Sequence, residues 1–212
     1  MPITTTTVVT PARFEQGLTY SGFLDSAIVN RDKFEHNYNN HVLTEEDLAF
    51  FRRASKSPNG PRKLLAIVEA WCGDVYRELP TAVRIAEAAG LELRIFLRDE
   101  NPDIINEFLS NNGKSRAIPV FVFYTEDVRY IAHFTERSAS AHAGLTVALD
   151  EARKKLNLPP SASFGNLVDP ERQLFLEEVI SRIEPYADQW RRDAVKEIRE
   201  ILSAALHTSN AA

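Results

Sequence analysis

Residues Leu64 to Pro80 read LLAIVEAWCGDVYRELP, and this stretch decides the fold. A short apolar run, Leu64-Leu65-Ala66-Ile67-Val68, follows the breaker cluster Ser57-Pro58-Asn59-Gly60-Pro61. A run of that length between such boundaries predicts a buried central strand, 64–69. From Val75 the period changes: Val75, Leu79, Val83, Ile85 and Ala86 are apolar among Arg77, Glu78, Arg84 and Glu87, which predicts a helix over about 74–89 ending at Gly90. Cys72, the one cysteine of the chain, stands where strand gives way to helix. Unpaired N–H groups and the positive end of the helix dipole favour a thiolate there.

The rest of the pattern repeats the alternation. Leu91–Leu97 reads as a second strand, Asn101-Pro102-Asp103 opens a helix running through Phe108 and Leu109, and Asn111-Asn112-Gly113 ends it. Strands at 119–124 and 128–134 flank the tight turn Thr125-Glu126-Asp127, which predicts a hairpin. A helix from Ser138-Ala139-Ser140 reaches about Leu156. The order is β-α-β-α-β-β-α, an α/β fold on a central mixed sheet.

Helical extensions flank this unit. In 1–60 the Thr-rich first ten residues are expected to be poorly ordered or edge-lying. Thr10-Pro11 opens a helical region, read as two short helices or a helix and a long turn, with Phe14, Leu18, Tyr20, Phe23, Leu24, Ile28, Phe34 and Tyr38 as its apolar side. Thr44-Glu45-Glu46-Asp47 starts another helix. In 158–212, Asp169-Pro170 starts a helix ending at Glu184-Pro185, and a last one carries Tyr186, Trp190, Ala194, Ile198, Ile201, Leu202 and Ala205. This extension is expected to pack on the central domain, 61–157, or on a second subunit as a homodimer.

Composition bounds the function. The 212 residues are 44% hydrophobic and carry a net charge of −5 with both signs interspersed, so no basic footprint for nucleic acid or an anionic membrane exists. No apolar run approaches the ~18 residues of a membrane helix, and MPITTTTVVTPARFE has neither the basic nor the apolar part of a secretory signal. A cytoplasmic protein is the expectation. His36 and His41 lie five apart, a poor metal spacing on a helix, and His133 and His142 stand apart from them; no metal site is expected.

One cysteine also limits the chemistry. A dithiol centre needs a second thiol, usually three residues on, to resolve a mixed disulfide from within. That position is Val75. Glu69 and Asp74 would raise the thiol pKa, whereas Arg77, one turn into the helix, would offset them. Glu69 ends a buried strand and needs a partner, for which Arg98 at the end of the second strand is the candidate.

Trp71-Cys72-Gly73-Asp74 after a strand, Pro80 inside the next helix and Ile118-Pro119 before a later strand together resemble the thioredoxin superfamily. More narrowly, Glu69–Asp74 (EAWCGD), Arg98–Pro102 (RDENP) and Asn112–Pro119 (NGKSRAIP) resemble signatures of a group of bacterial thioredoxin-like proteins, over roughly residues 60 to 157. The departure from thioredoxin proper is Val75 in place of the resolving cysteine. The resemblance implies a cis-proline at Pro119 facing Cys72, with the Ile118 backbone exposed for strand-like pairing. It implies Trp71, Gly73, Asp74, Ile118 and Pro119 as a docking surface, with Glu69, Arg77 and Arg98 supporting it. The expected activity is monothiol thiol–disulfide exchange at Cys72 on a protein or small-molecule disulfide. No cofactor is expected; a glutathione-type thiol would serve as co-substrate. A non-catalytic binding module using the same groove and a thiol redox sensor are the alternatives. Iron–sulfur ligation across a dimer fits poorly, because a different motif follows the cysteine in monothiol glutaredoxins and Asp74 adds negative charge.

Overall fold

The strand Lys63–Val68 (β1) is buried at every position, as a run of Leu, Ile and Val enclosed on both faces must be. The computed structural model describes residues 7–27 and 29–209, so the expectations for the first six residues and for Ile28 lie outside the described residues. β1 pairs in parallel with Glu92–Leu97 (β2), Leu64 opposite Leu93 and Val68 opposite Leu97. On its other side it pairs antiparallel with Val120–Tyr124 (β3), Ile67 opposite Val120. Tyr130–Thr135 (β4) completes the sheet in the order β2-β1-β3-β4. This is the mixed α/β sheet of the thioredoxin fold.

Helices Pro11–Phe14 (α1), Tyr20–Ser26 (α2), Arg31–Asn40 (α3) and Glu45–Lys56 (α4) precede β1. Gly73–Ala89 (α5) links β1 to β2, and Pro102–Ile105 (α6), followed by a 3-10 turn at Asn106–Phe108, links β2 to β3. Ala139–Lys155 (α7), Glu171–Ile183 (α8) and Ala187–Ser209 (α9) follow β4. The described residues fall into two compact units: those up to Glu136 together with those from Val195 on, and Arg137–Ala194.

In the first unit, α3 and α4 pack on α5. A capping box fixes the start of α4: the Thr44 hydroxyl accepts from the Asp47 N–H, and the Asp47 carboxylate accepts from the Thr44 N–H. Arg199 of α9 reaches the same Asp47 at 2.7 Å and Glu46 at 2.6 Å. Burial alone would raise the Asp47 pKa; the hydrogen bonds from Thr44 and Arg199 outweigh it and hold the carboxyl below its ordinary value. The chain between α1 and α2 lies along the outer edge of β2, where Leu18 and Ile95 exchange two backbone hydrogen bonds of 2.8 Å. That approach needs Gly17, since a Cβ there would stand 2.6 Å from the Phe96 ring. Lys63, buried at the start of β1, pairs with Glu92 at 2.6 Å and Glu15 at 3.0 Å. In the second unit α7 and α8 bury Ala148, Ala152, Phe175, Val179 and Ile183 against one another.

Several elements differ from the sequence reading. The helix expected through Leu109 is a single α-turn and a 3-10 turn, because Asn101 does not cap it: its amide donates to Leu97 O at 2.8 Å and its oxygen accepts from Arg13. β4 begins at Tyr130, not 128, because Val128 takes a left-handed conformation (φ 60°) in the turn closed by Thr125 N–H to Arg129 O. Among the described residues the region 11–41 forms three helices, where two short helices or a helix and a long turn were expected. Asp169 forms an ion pair with Arg172 at 3.0 Å and leaves the start of α8 at Glu171 without a side-chain cap. No helix among the described residues is long and apolar enough to cross a membrane.

Candidate functional site

Cys72 is the N-cap residue of α5, in extended conformation (φ −80°, ψ 128°), and its N–H closes a turn onto Glu69 O at 3.1 Å. The side chain is half-buried and directed at the segment before β3: Sγ lies 3.8 Å from Ile118 O, the S–H donating. The Ile118–Pro119 peptide bond is cis, and both residues are buried. The Pro119 carbonyl is taken by the Glu136 N–H at 2.7 Å, which ties this segment to the end of β4. Trp71, one residue before the thiol, is 55% exposed. Gly73 and Asp74 occupy the first turn of α5, half-buried.

The residues expected to support the thiol come together, with different partners. Arg77 folds back over the first turn, donating to Gly73 O at 3.4 Å with its guanidinium 5.0 Å from the Tyr76 ring. Arg98 lies over the Trp71 ring at 5.0 Å, pairs with Asp99 at 2.8 Å and donates to Arg116 O at 3.5 Å. Glu69 is 9% exposed, and its carboxylate accepts the Asp99 N–H at 2.8 Å. Glu69 and Arg98 form no ion pair among the described residues, which corrects the pairing read from sequence. The reason is register. β1 and β2 run in parallel up to Val68 and Leu97, so the chain leaves the ladder here with an unpaired N–H that the Glu69 carboxylate satisfies.

Three sequence segments thus meet at one place. Glu69–Asp74 supplies the thiol and the indole, Arg98–Asp99 covers the indole and holds Glu69, and Arg116–Pro119 receives both Arg98 and the Cys72 S–H. The N-terminal extension adds groups that periodicity did not single out. Asn30, left-handed at φ 61°, donates its amide to Ala70 O at 2.9 Å, and Lys33 lies 4.8 Å from the Tyr76 ring. An Asn just before a helix start was the available signal. No group of three or more His, Cys, Asp or Glu able to hold a metal exists among the described residues.

Two cavities lie away from the thiol. One of about 390 Å³ lies between the 41–48 segment and the far half of α5, lined by His41, Leu43, Leu48, Arg84 and Glu87. The other, about 250 Å³, is aromatic, lined by Phe108, Tyr124, Tyr130 and His133 at the opposite end of β3 from Pro119. In it the Tyr130 hydroxyl and His133 Nδ1 are 2.7 Å apart, and burial lowers the His133 pKa. An unfolded chain protonates this ring near pH 6.5, as an ordinary histidine does, while the folded one resists. The His133 contribution to stability is therefore constant above about that pH and is lost as pH falls from there toward the lowered native value. Urea unfolding above and below it should show a larger loss for wild type than for His133→Phe; equal losses would overturn the assignment.

A mixed four-stranded sheet with a thiol at the start of the helix after its central strand, facing an X-Pro segment before the third, defines a thioredoxin-fold protein. The thioredoxin family model matches residues 17–153, and the chain belongs to that family. Among solved structures it is similar to a Pseudomonas aeruginosa protein of unknown function, with 15% identity, TM-score 0.58, and coverage of 93% of this chain and 99% of that one. It is similar also to an HIV epitope-scaffold, with 13% identity, TM-score 0.57, and coverage of 92% and 99%. At these identities the likeness concerns the fold alone. No curated protein sequence matches the chain.

Proposed function

We propose that the chain is a monothiol thiol–disulfide oxidoreductase with Cys72 as its nucleophile. The observation that carries this reading is the placement of the only cysteine: half-buried at the start of α5, with Sγ 3.8 Å from Ile118 O beside Pro119. The helix terminus supplies unpaired N–H groups and a positive field that stabilise sulfur as the thiolate. In the first step the thiolate attacks one sulfur of R–S–S–R′, forming Cys72–S–S–R and expelling R′–S⁻. With no second cysteine in the chain, an external thiolate R″–S⁻ then attacks R–S of the adduct, giving R–S–S–R″ and restoring the Cys72 thiolate. Exposed Trp71 provides the docking surface beside the sulfur, and the buried Ile118–Pro119 segment backs the thiol from the other side.

The test is intact-mass analysis after incubation with oxidised glutathione, with alkylation followed against pH. The expected result is one adduct per chain, released by added thiol and absent in Cys72→Ser, with an alkylation midpoint below the free-thiol value of about 8.5. No adduct on the folded protein, with slow alkylation and a raised midpoint, would overturn exchange. That outcome favours the second reading, a groove beside Pro119 that binds a partner without chemistry, for which the exposed Trp71 under Arg98 is the supporting observation.

A further inference from the structure

We propose that the basic depression beside Trp71 is a subsite for the carboxylates of a low-molecular-weight disulfide, so that the substrates of Cys72 are anionic. The inference rests on the exchange reading above and names its substrate class. The depression has a volume of about 610 Å³ and is lined by Arg98, Asp99, Asn106, Lys114, Ser115 and Arg116. It is continuous with the thiol site through Arg98, whose guanidinium lies over the Trp71 ring and donates to Arg116 O, two residues before the carbonyl that receives the Cys72 S–H.

Charge identifies the ligand. The chain as a whole carries −5, yet this depression gathers three cations against one carboxylate. Asp99 is matched by Arg98 at 2.8 Å. The Arg116 guanidinium donates to the neutral amide of Asn106 at 3.0 Å, and neither Arg116 nor Lys114 forms an ion pair among the described residues. Two positive charges are left to a ligand. The loop that presents Lys114 is fixed: Asn111, Asn112 and Gly113 are left-handed in succession (φ 49°, 55° and 79°), and Ser110 and Ser115 exchange backbone hydrogen bonds of 2.9 and 3.1 Å across them. A positively charged wall next to a reacting sulfur raises the local concentration of anionic partners and orients them. The size suits a small peptide-like molecule. In the step it assists, the Cys72 thiolate displaces R–S⁻ from R–S–S–R and keeps the other half as Cys72–S–S–R, whose carboxylate sits against Lys114 and Arg116.

The test compares Cys72 adduct formation with 3,3′-dithiodipropionate, bis(2-hydroxyethyl) disulfide and cystamine, which are anionic, neutral and cationic. Each rate is divided by that of the urea-unfolded chain. The expected order is anionic, neutral, cationic, with the anionic disulfide about tenfold above the neutral one at low salt, as a carboxylate in contact with two cations in water allows. That ratio should fall toward one in Lys114→Gln/Arg116→Gln and, in the unaltered protein, on raising ionic strength. Equal normalised rates for all three disulfides, or a ratio insensitive to both the double substitution and salt, would overturn the subsite while leaving exchange at Cys72 standing. No reaction with any of the three would overturn the exchange reading itself.

Discussion

Replacing Val75 by cysteine is expected to give a protein that closes an internal disulfide with Cys72 and sheds a Cys72 mixed disulfide roughly 100-fold faster than an external thiol removes it. The expectation follows from helix geometry. Cys72 is the N-cap residue of α5, and Val75 is the third residue inside it. The side chain of an N-cap reaches the N3 position; the capping box at Thr44 and Asp47 closes over the same interval in α4. Residues so spaced lie within the Cα separation of about 4.4–6.8 Å that a disulfide requires. Val75 is fully buried, so a cysteine there would be shielded from bulk reagents and within reach of Sγ of Cys72. Its attack frees the bound thiol as R–S⁻ and converts the adduct into the 72–75 disulfide, a unimolecular step that replaces a bimolecular one. Valine to cysteine removes little volume from the core, a cost of about 1 kcal/mol. The measurement is a thiol count with intact mass: two thiols when reduced and none after mild oxidation, with the adduct half-life compared in wild type. Two persistent thiols under oxidising conditions, or an unchanged half-life, would show that the first turn of α5 does not bring the positions together.

What the sequence disclosed and what it hid follow from the range of the forces involved. The apolar run at 64–68, the change of period at Val75 and the turn at 125–127 are local, and so the succession of elements, the position of α5 and the place of Cys72 are readable, whereas the strand order β2-β1-β3-β4 rests on pairing between distant segments. The β1 and β3 runs are buried on both faces and therefore continuous in hydrophobicity, which made them conspicuous. The N-terminal extension was less readable: its apolar side shows that it packs, as α3 and α4 do on α5, but not the two contacts that place its ends, the Leu18–Ile95 bridge and the Asn30 amide on Ala70 O. Nothing in the local pattern singles out Lys114 and Arg116 within the run NGKSRAIP. Only the fold turns that loop toward Arg98 and reveals that they pair with no carboxylate among the described residues. Glu69 was recognised as a buried carboxylate needing a partner, but charge complementarity pointed to the neighbouring guanidinium, whereas the group actually starved of a hydrogen bond was a backbone N–H.

That N–H makes Glu69 the residue whose loss should be felt most widely around the site. Glu69→Ala is expected to destabilise the protein by about 1–3 kcal/mol, the usual cost of leaving a poorly solvated donor without its acceptor. The Asp99 N–H would be that donor, since the Glu69 carboxylate accepts from it at 2.8 Å and the β1–β2 ladder ends one step earlier. Asp99 also holds the Arg98 guanidinium, which covers Trp71 and reaches Arg116 O. Loosening Asp99 therefore loosens the cover on the indole, and Trp71 emission should shift toward that of a more solvated indole even where the protein remains folded. Glu69→Gln keeps an acceptor oxygen at the same reach and should recover most of the stability and of the emission. The pair of substitutions separates hydrogen bonding from charge. Urea unfolding and native-state fluorescence of both variants provide the measurement. If the alanine variant is as stable as wild type, the bond to Asp99 carries nothing. If the glutamine variant is damaged as much as the alanine one, it is the negative charge of Glu69, and not its acceptor, that organises the strand ends beside Cys72.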